Sequence, residues 1–197
     1  MSPFANNALR EAGKRCLAWM IGGLLLVMPV VVHAQDAKLT NIIVTNTRDD
    51  LLLYLSVKGA FPPKIAKTIE SGVPATFSFY INLYRKRTLW PDAKIAETTL
   101  THTIKYDNLR QEHQVTRSWD HNSPHTIKSF AEAQKLMSEI DSLTIASLDQ
   151  LEKGERYQIR AKAKLDRLTL PFYLHYVLFF MSLWDFETDW YTVDFIY

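Results

Sequence analysis

Apolar and polar residues alternate along several segments of the chain, as they do in strands that bury one face. The alternation is clearest over residues 76–84, where phenylalanine, isoleucine and leucine are separated by polar residues or tyrosine. About seven or eight strands are predicted in all. They cover residues 39–45, 51–58, 76–84, 96–106, 110–119 and 157–165, with shorter candidates at 143–146 and 191–197.

Helical signals are fewer. Two prolines open a short helix within residues 62–72, where two isoleucines share a face and a glycine follows the last turn. Ser129 and Glu132 form a capping box that opens a second helix, predicted to run to about Ile140. The almost wholly apolar residues 171–183 fit a helical spacing, although an extended conformation stays open, and they are too few to span a bilayer as a helix.

The order of these elements predicts an α+β fold built on a mainly antiparallel sheet or sandwich. One capped helix and a short apolar helical segment near the C-terminus complete it. We expect residues 171–183 to be part of the core. A lid over a cavity and a surface for a partner are the alternatives, because an apolar stretch of this size is costly to expose.

Residues 1–34 have the features of an export signal. A basic region is followed by an apolar stretch at residues 16–32 and by small residues that end at Ala34. We expect cleavage after Ala34, which makes residues 35–197 a single exported domain in the periplasm. An uncleaved signal would instead hold the domain at the periplasmic face of the inner membrane, since the apolar stretch approaches the length of a membrane span.

The signal also carries the slight positive charge of the chain. It contains three of the 23 basic residues and one of the 21 acidic residues, so 20 of each remain after residue 34. A formally neutral domain lacks the cation surplus of a general nucleic-acid or anionic-lipid binder. Cys16 is the only cysteine and lies in the signal. Disulfides, cysteine nucleophiles and cysteine-bound zinc are therefore excluded for the exported domain.

The chain contains the phrases GVP at 72–74, LYRKR at 83–87, YDNLRQEHQV at 106–115, GERYQIRAKAKLD at 154–166, LP at 170–171 and WDFETDWY at 184–191. Taken together, in their order and spacing, these phrases resemble the bacterial exported family DUF4390. The resemblance covers nearly all of the chain after the signal. It implies an envelope location and a signalling context, because members are often encoded beside a two-component sensor system. It supplies no activity, cofactor or catalytic residue.

Motifs for common chemistries are missing after the signal. The three glycines there, Gly59, Gly72 and Gly154, form neither a nucleophile elbow nor a phosphate-binding loop. The best metal-like group is Asp120, His121 and His125, but a proline intervenes and too few ligands are present, so a polar loop is the preferred interpretation. We predict no catalytic residue, no metal site and no cofactor.

His102 is in phase with the apolar residues of its strand. We interpret it as a half-buried, hydrogen-bonded histidine.

Two clusters are candidates for contact with a partner. LYRKR ends a strand with a cation cluster suited to carboxylate or phosphate groups, although a solvated strand end is the preferred interpretation. In the C-terminal residues 183–197, acidic residues alternate with aromatic residues. The candidate interaction surface comprises Arg85, Lys86, Arg87, Trp90, Trp184, Asp185, Trp190 and Tyr191.

The acidic C-terminal residues also allow an enzymatic hypothesis. Asp185, Glu187 and Asp189 would share one face of an extended segment. A hydrolase acid–base pair also needs a substrate groove and two carboxylates held a defined distance apart, and the sequence supplies neither. A calcium loop is excluded, because the required glycine and glutamate positions hold other residues. We expect a break near Thr188–Asp189, so that the aromatic residues on both sides, Trp190 among them, reach the core.

The sequence therefore favours a non-enzymatic exported domain that binds another envelope protein. The first alternative is a binder of lipid or another apolar ligand, with residues 171–183 lining or covering a cavity. The second is a hydrolase that uses the C-terminal carboxylates. Nucleic acid is not an expected partner, and membrane contact is expected only through an uncleaved signal.

Overall fold

The computed structural model describes residues 37–120, 123–166 and 187–197, all within one compact unit. These residues contain nine strands and two helices. The helices are α1, Pro63–Glu70, and α2, Phe130–Ser138. Among the described residues, no helix combines the length and the apolar composition of a membrane span. The strands are β1 Lys38–Asn46, β2 Asp50–Lys58, β3 Ala75–Arg85, β4 Ala93–Asp107, β5 Glu112–Arg117, β6 His125–Ile127, β7 Glu139–Ser147, β8 Arg156–Leu165 and β9 Tyr191–Ile196.

The strands form two sheets in which every pairing is antiparallel. The smaller sheet has the order β1-β2-β7, and the larger has the order β6-β5-β4-β3-β8-β9. The predicted class, a mainly antiparallel sheet fold with few helices, is confirmed. The number of strands is slightly higher than predicted.

One hydrophobic core contains residues from both sheets and both helices. The alternation of β2 buries every second side chain, and β3 does the same with its phenylalanine, isoleucine and leucine residues. Helix α1 adds Ile65 and Ile69 to this core, and α2 adds Ala133 and Met137. Burial of apolar surface on this scale is the main favourable term in the stability of such a domain.

Helix α1 begins and ends as its sequence predicts. Pro63 occupies the first turn, where its missing amide costs no hydrogen bond. After Ser71 the backbone of Gly72 turns to φ +92°, and the Gly72 amide donates to the carbonyl of Ile69 (2.9 Å). This left-handed conformation is one that glycine adopts without a steric cost.

Strand β5 and the end of helix α2 differ from the sequence predictions. Strand β5 is shorter than residues 110–119, because Asp107 Oδ1 accepts the amides of Leu109 and Arg110 and fixes a turn before it. Helix α2 starts at the predicted cap, where Ser129 Oγ accepts the Glu132 amide (3.5 Å). The helix ends at Ser138, and Ile140, expected in its last turn, is buried in β7.

Two further differences concern what the sequence pattern did not resolve. The short segment predicted at 143–146 is the centre of the longer strand β7, and β6 was not predicted. The apolar stretch 171–183 lies outside the described residues.

Candidate functional site

The loop that joins β3 to β4, residues 86–92, has a firmly held base. Lys86 Nζ lies 2.8 Å from Asp92 Oδ2 across the loop, and the Lys86 amide donates to the Arg156 carbonyl of β8 (2.8 Å). Arg85, the last residue of β3, pairs with Glu152. The hydrogen bond from Lys86 holds the pKa of the Asp92 carboxyl below its usual value, and the bond to Glu152 raises the pKa of Arg85.

The tip of this loop is exposed and partly apolar. Residues 87–91 are all exposed, with Leu89 at 90% and Trp90 at 75% of their full exposure. A groove of about 440 Å³ runs beside the tip between the basic residues and two glutamates. It brings together the four predicted contact residues of this region, Arg85, Lys86, Arg87 and Trp90.

A second groove lies on the outer face of the larger sheet, which we define as the face turned away from the core. This outer-face groove has a volume of about 510 Å³ and is lined by Asn82, Tyr84, Gln158, Arg160, Trp190 and Thr192. Its residues come from three neighbouring strands, β3, β8 and β9, and from the residue before β9. Antiparallel pairing places Asn82 beside Arg160 and Tyr84 beside Gln158.

Hydrogen bonds and ring contacts fix the polar side chains of the outer-face groove. The Arg160 guanidinium lies over the Tyr84 ring at 4.6 Å from its centroid. Arg160 Nε donates to Gln158 Oε1 (2.7 Å), and Gln158 Nε2 donates to Asp194 Oδ1 (2.8 Å). These contacts hold the side chains in the floor of the groove in a fixed arrangement.

Asn82 is the exception in this network. Its side chain is 9% exposed, yet its Oδ1 atom is buried without a hydrogen-bond partner among the described residues. A buried acceptor with no donor costs about 1–3 kcal/mol relative to a bonded one. This oxygen is fully enclosed, so it does not form part of the open surface of the groove.

A third groove joins the loop to the outer face. Its volume is about 730 Å³, and it shares Lys86, Arg87 and Thr88 with the loop and Gln158 with the outer-face groove. The β3–β4 loop and the outer-face groove therefore belong to one continuous surface at this end of the larger sheet.

The C-terminal contact residues predicted from sequence are only partly described. Trp184 and Asp185 lie outside the described residues. Trp190 is 48% exposed and lines the outer-face groove, with Lys162 Nζ 5.3 Å from its ring centroid. The expectation that Trp190 reaches the core is wrong, because the bridge of Glu187 to β8 and the irregular residues after it leave the indole on the outer face.

Strand β9 presents the next aromatic residues to the opposite side. Tyr191 opens the strand and is exposed, whereas Phe195 stacks on the buried Tyr157 ring at 5.7 Å between centroids. The change of face occurs after Thr188, whose amide and hydroxyl both bond to Ala163 of β8. The predicted break thus lies where the sequence placed it, with Phe195 as the aromatic that packs against the core.

Glu187 and Asp194 are engaged along β8, whereas Asp189 is exposed and has no hydrogen-bond or ion-pair partner among the described residues. Glu187 pairs with Lys162 and with Lys164 (3.6 Å), and Asp194 accepts from Gln158. Asp185, the first residue of the hydrolase hypothesis, lies outside the described residues.

The histidines are on the other half of the sheet. Asp120 accepts from Arg117 Nη2 (2.9 Å) and lies 2.6 Å from His125 Nε2, and the hydrogen bond from Arg117 is the main cause of its lowered pKa. His121 lies outside the described residues, which contain no group of three or more residues able to hold a metal ion. His102 is fully buried, so the prediction of half-burial is wrong, although its predicted hydrogen bond is present.

Comparison with models of known protein families shows which family this chain belongs to. The family described as domain of unknown function DUF4390 matches residues 34–194. The chain belongs to the DUF4390 family. Its match to DUF4390 includes the β3–β4 loop and every residue that lines the outer-face groove. No curated protein and no solved structure matched the chain.

Sequence reasoning missed the outer-face groove of this DUF4390 chain. The alternation in β3 and β8 places Asn82, Gln158 and Arg160 on the polar face of the sheet. A polar face of this kind is expected to be in contact with solvent, so the pattern gives no indication of a groove. The available signal was a pair of aromatic residues, Tyr84 and Trp190, near such polar positions. Which of them meet depends on strand order, which the sequence pattern does not specify.

Proposed function

We propose that this chain is an exported, non-enzymatic domain of the bacterial envelope that docks onto another envelope protein through the β3–β4 loop. The observation that carries the proposal is the exposed Leu89–Trp90 tip on a loop whose base is fixed by ion pairs. A large aromatic side chain held outward on a rigid support is typical of a residue that anchors a protein–protein contact.

The charges around the tip indicate the partner's chemistry. Lys86 is satisfied within the loop base, while Arg87 makes no ion pair with a described residue. A partner with an apolar pocket for Trp90 and a carboxylate near its rim would complement this tip. Since the loop base is already ordered, docking would lose little conformational entropy.

Export is part of the same proposal and is supported by the sequence of the first 34 residues. Ala37 and Leu39 are buried in the core, so the core reaches the third residue after the proposed cleavage position. A signalling role is supported only by the resemblance of the chain to envelope proteins encoded beside sensor systems.

Photo-crosslinking in the producing bacterium tests the docking. We expect a photoreactive residue in place of Thr88 to join the chain to one envelope protein of defined mass. Replacement of Leu89 and Trp90 by alanine should abolish that product, because the anchoring side chains are lost. Leu109→Ala is the matched control: Leu109 is 96% exposed in the β4–β5 turn, and its loss should leave the product unchanged.

Two outcomes would overturn the docking proposal. One is a crosslinked product that persists when Leu89 and Trp90 are alanine. The other is Trp90-dependent flotation of the purified protein with anionic phospholipid vesicles, which would assign the tip to a membrane surface. Both alanine variants should melt close to the wild-type temperature, since exposed substitutions usually change stability by less than about 0.5 kcal/mol.

The alternative of lipid or apolar-ligand binding depends on residues 171–183. The short helical segment predicted there, and its role as core, lid or partner surface, stay predictions. Copurified lipid detected by mass spectrometry would favour this alternative.

A further inference from the structure

We infer that two copies of this chain associate through strand β9, which pairs antiparallel with β9 of the other copy and joins the two larger sheets edge to edge. The inference goes beyond the proposed docking, because it uses a sheet edge instead of the β3–β4 loop and names a second copy of the chain as the partner. Three features of β9 support it: an edge without the usual protection, apolar side chains left half-exposed along it, and a sequence that is complementary to itself.

Among the described strands, β9 is the sheet edge with the fewest features that oppose pairing. Strand β1, an edge of the smaller sheet, has a bulge between Thr40 and Ile43, where Asn41 has φ +53°. The other edge of that sheet, β7, shifts register twice against β2, and β6 has only three residues. Bulges and short strands are common means by which proteins keep sheet edges from pairing with another chain. Strand β9 keeps one register with β8 over six residues and contains neither lysine nor proline.

The backbone groups of alternate β9 residues point away from β8. The Arg156 carbonyl of β8 accepts the Lys86 amide on the side of β3, and Ile196 is the β9 residue opposite Arg156. Because backbone direction alternates along a strand, Thr192, Asp194 and Ile196 direct their amides and carbonyls to the outer edge of β9. No described strand pairs with that edge, so these groups are available to a second strand.

The side chains of β9 also leave apolar surface at this edge. Tyr191 lies opposite the buried Ala161 and is 46% exposed, and Val193 and Phe195 on the same side of the sheet are half-buried. Ile196, on the outer face, is 67% exposed. A strand added at this edge would cover part of these side chains, and burial of apolar surface favours association.

The sequence of β9 identifies a second copy as the partner, because it is complementary to itself about its third residue. In an antiparallel pair centred there, the opposed residues are Val193 and Val193, Tyr191 and Phe195, and Thr192 and Asp194. The core side then carries an aromatic pair, and on the outer face a hydroxyl group faces the carboxylate. Thr192 and Asp194 both direct their backbone to the edge, so they form the hydrogen-bonded pairs of this register.

The neighbouring two-fold registers fit less well. A pair centred on Asp194 would place two carboxylates directly opposite each other, which is destabilising. A pair centred on Thr192 would place Phe195 opposite Asp189, which precedes the strand. A two-fold axis at Val193 satisfies both edges with the same residues, as an isologous dimer requires.

Cysteine crosslinking of the purified protein tests this register. With Cys16→Ser as the background and diamide as the oxidant, we expect Val193→Cys to give a disulfide-linked dimer. The two copies of position 193 would have Cα atoms about 4.5 Å apart, which a disulfide can bridge. Tyr191→Cys is the matched control: it lies on the same side and at the same edge, but its two copies would be about 13 Å apart along the strands. We expect its dimer yield to be at least about tenfold lower.

Sedimentation equilibrium measures the association without a crosslink. We expect a reversible equilibrium between one chain and two chains at micromolar concentration. Thr192→Pro should raise the dissociation constant by about tenfold or more, because it removes an amide that the second strand needs. Thr192→Val keeps that amide and should dimerise as the wild type does. Proline is tolerated in an edge strand where its nitrogen faces away from the neighbouring strand, so thermal unfolding of Thr192→Pro should stay cooperative.

A second variant leaves the backbone unchanged. Val193→Lys places two ammonium groups directly opposite each other in this register, and it should weaken the dimer by about tenfold or more. Trp90→Ala in the β3–β4 loop should dimerise as the wild type does. Failure of docking at Trp90 and failure of self-association at β9 are thereby observed independently.

Four results would overturn the inference. The first is a wild-type protein that stays monomeric up to about 1 mM. The second is a dimer that survives both Thr192→Pro and Val193→Lys. The third is equal crosslinking of Val193→Cys and Tyr191→Cys, which would indicate random collision. The fourth is crosslinking of Val193→Cys in the producing bacterium to a different protein only, which would assign the edge to a foreign strand.

Discussion

His102 shows at the level of one residue how the core uses a polar group. Its ring packs between Phe79 and Trp119, at 4.8 and 5.8 Å between centroids. Nδ1 lies 3.0 Å from the Met137 carbonyl of α2, and because a carbonyl only accepts, Nδ1 carries the proton of the neutral ring. Burial is the main cause that lowers the pKa of His102 to about 4.

This pKa predicts an acid-sensitive stability. In the unfolded chain the His102 imidazole binds a proton near pH 6.5, whereas in the folded chain it binds one only near pH 4. The contribution of His102 is therefore complete above pH 6.5 and is lost as the pH falls to 4, by about 3 kcal/mol in the free energy of unfolding. Urea denaturation across this range, with His102→Leu as comparison, measures the effect. Equal pH dependence of both proteins would contradict it.

Side-chain direction was predictable from sequence, but burial of the outward-facing residues was not. The period-two pattern correctly assigned the core face of β3. It also placed Ser78 and Asn82 on the polar face, yet both are buried there. Their burial depends on side chains of β8 and of the C-terminal segment, and those neighbours are set by sheet order rather than by local sequence.

At the level of elements, strongly periodic strands were predictable and abrupt transitions were not. Strands β2, β3 and β8 match their predicted limits within one residue. Helix α2 passes directly into β7 at Glu139, with neither glycine nor proline to mark the change. Ile140 fits the buried face of either element, so apolar spacing alone could not place the boundary. Strand β6 has only three residues and lies in a polar region, where periodicity gives no signal.

Two turn glycines allow the cost of backbone conformation to be measured. Gly72 and Gly154 have φ values of +92° and +83°. A Cβ added at Gly72 would lie 2.7 Å from Asn108 Nδ2, whereas a Cβ added at Gly154 would have no atom within 4 Å. We expect Gly72→Ala and Gly154→Ala each to lower the free energy of unfolding by about 1–2 kcal/mol, because both force alanine into a left-handed conformation. The Asn108 side chain is exposed and can rotate away.

Chemical denaturation of the two alanine variants provides the measurement. Adding Asn108→Ala to Gly72→Ala should change little. A much larger loss at Gly72 that this second substitution restores would show that contact with Asn108, and not backbone conformation, limits the position.

For the whole molecule, the main prediction concerns processing. We expect the protein recovered from the envelope to begin at Gln35, because the small residues before it suit signal peptidase. Mass spectrometry of the intact protein measures this, and Ala34→Arg, which removes the small residue at the cleavage position, should leave the precursor uncut. A wild-type protein that retains Met1 would show that the segment is an anchor.

The interleaving of the two sheets has a consequence for how the chain reaches its native state. Strand β2 can pair with β7 only after strands β3 to β6 have been synthesised, although those four strands belong to the other sheet. Until β7 arrives, the apolar side of β2 and one of its edges are unpaired, which favours aggregation. Long-range antiparallel pairing of this type also gives slow folding, from milliseconds to seconds. Under the proposed export, this unpaired strand would be exposed after the membrane is crossed, and a holding chaperone bound to it would prevent aggregation.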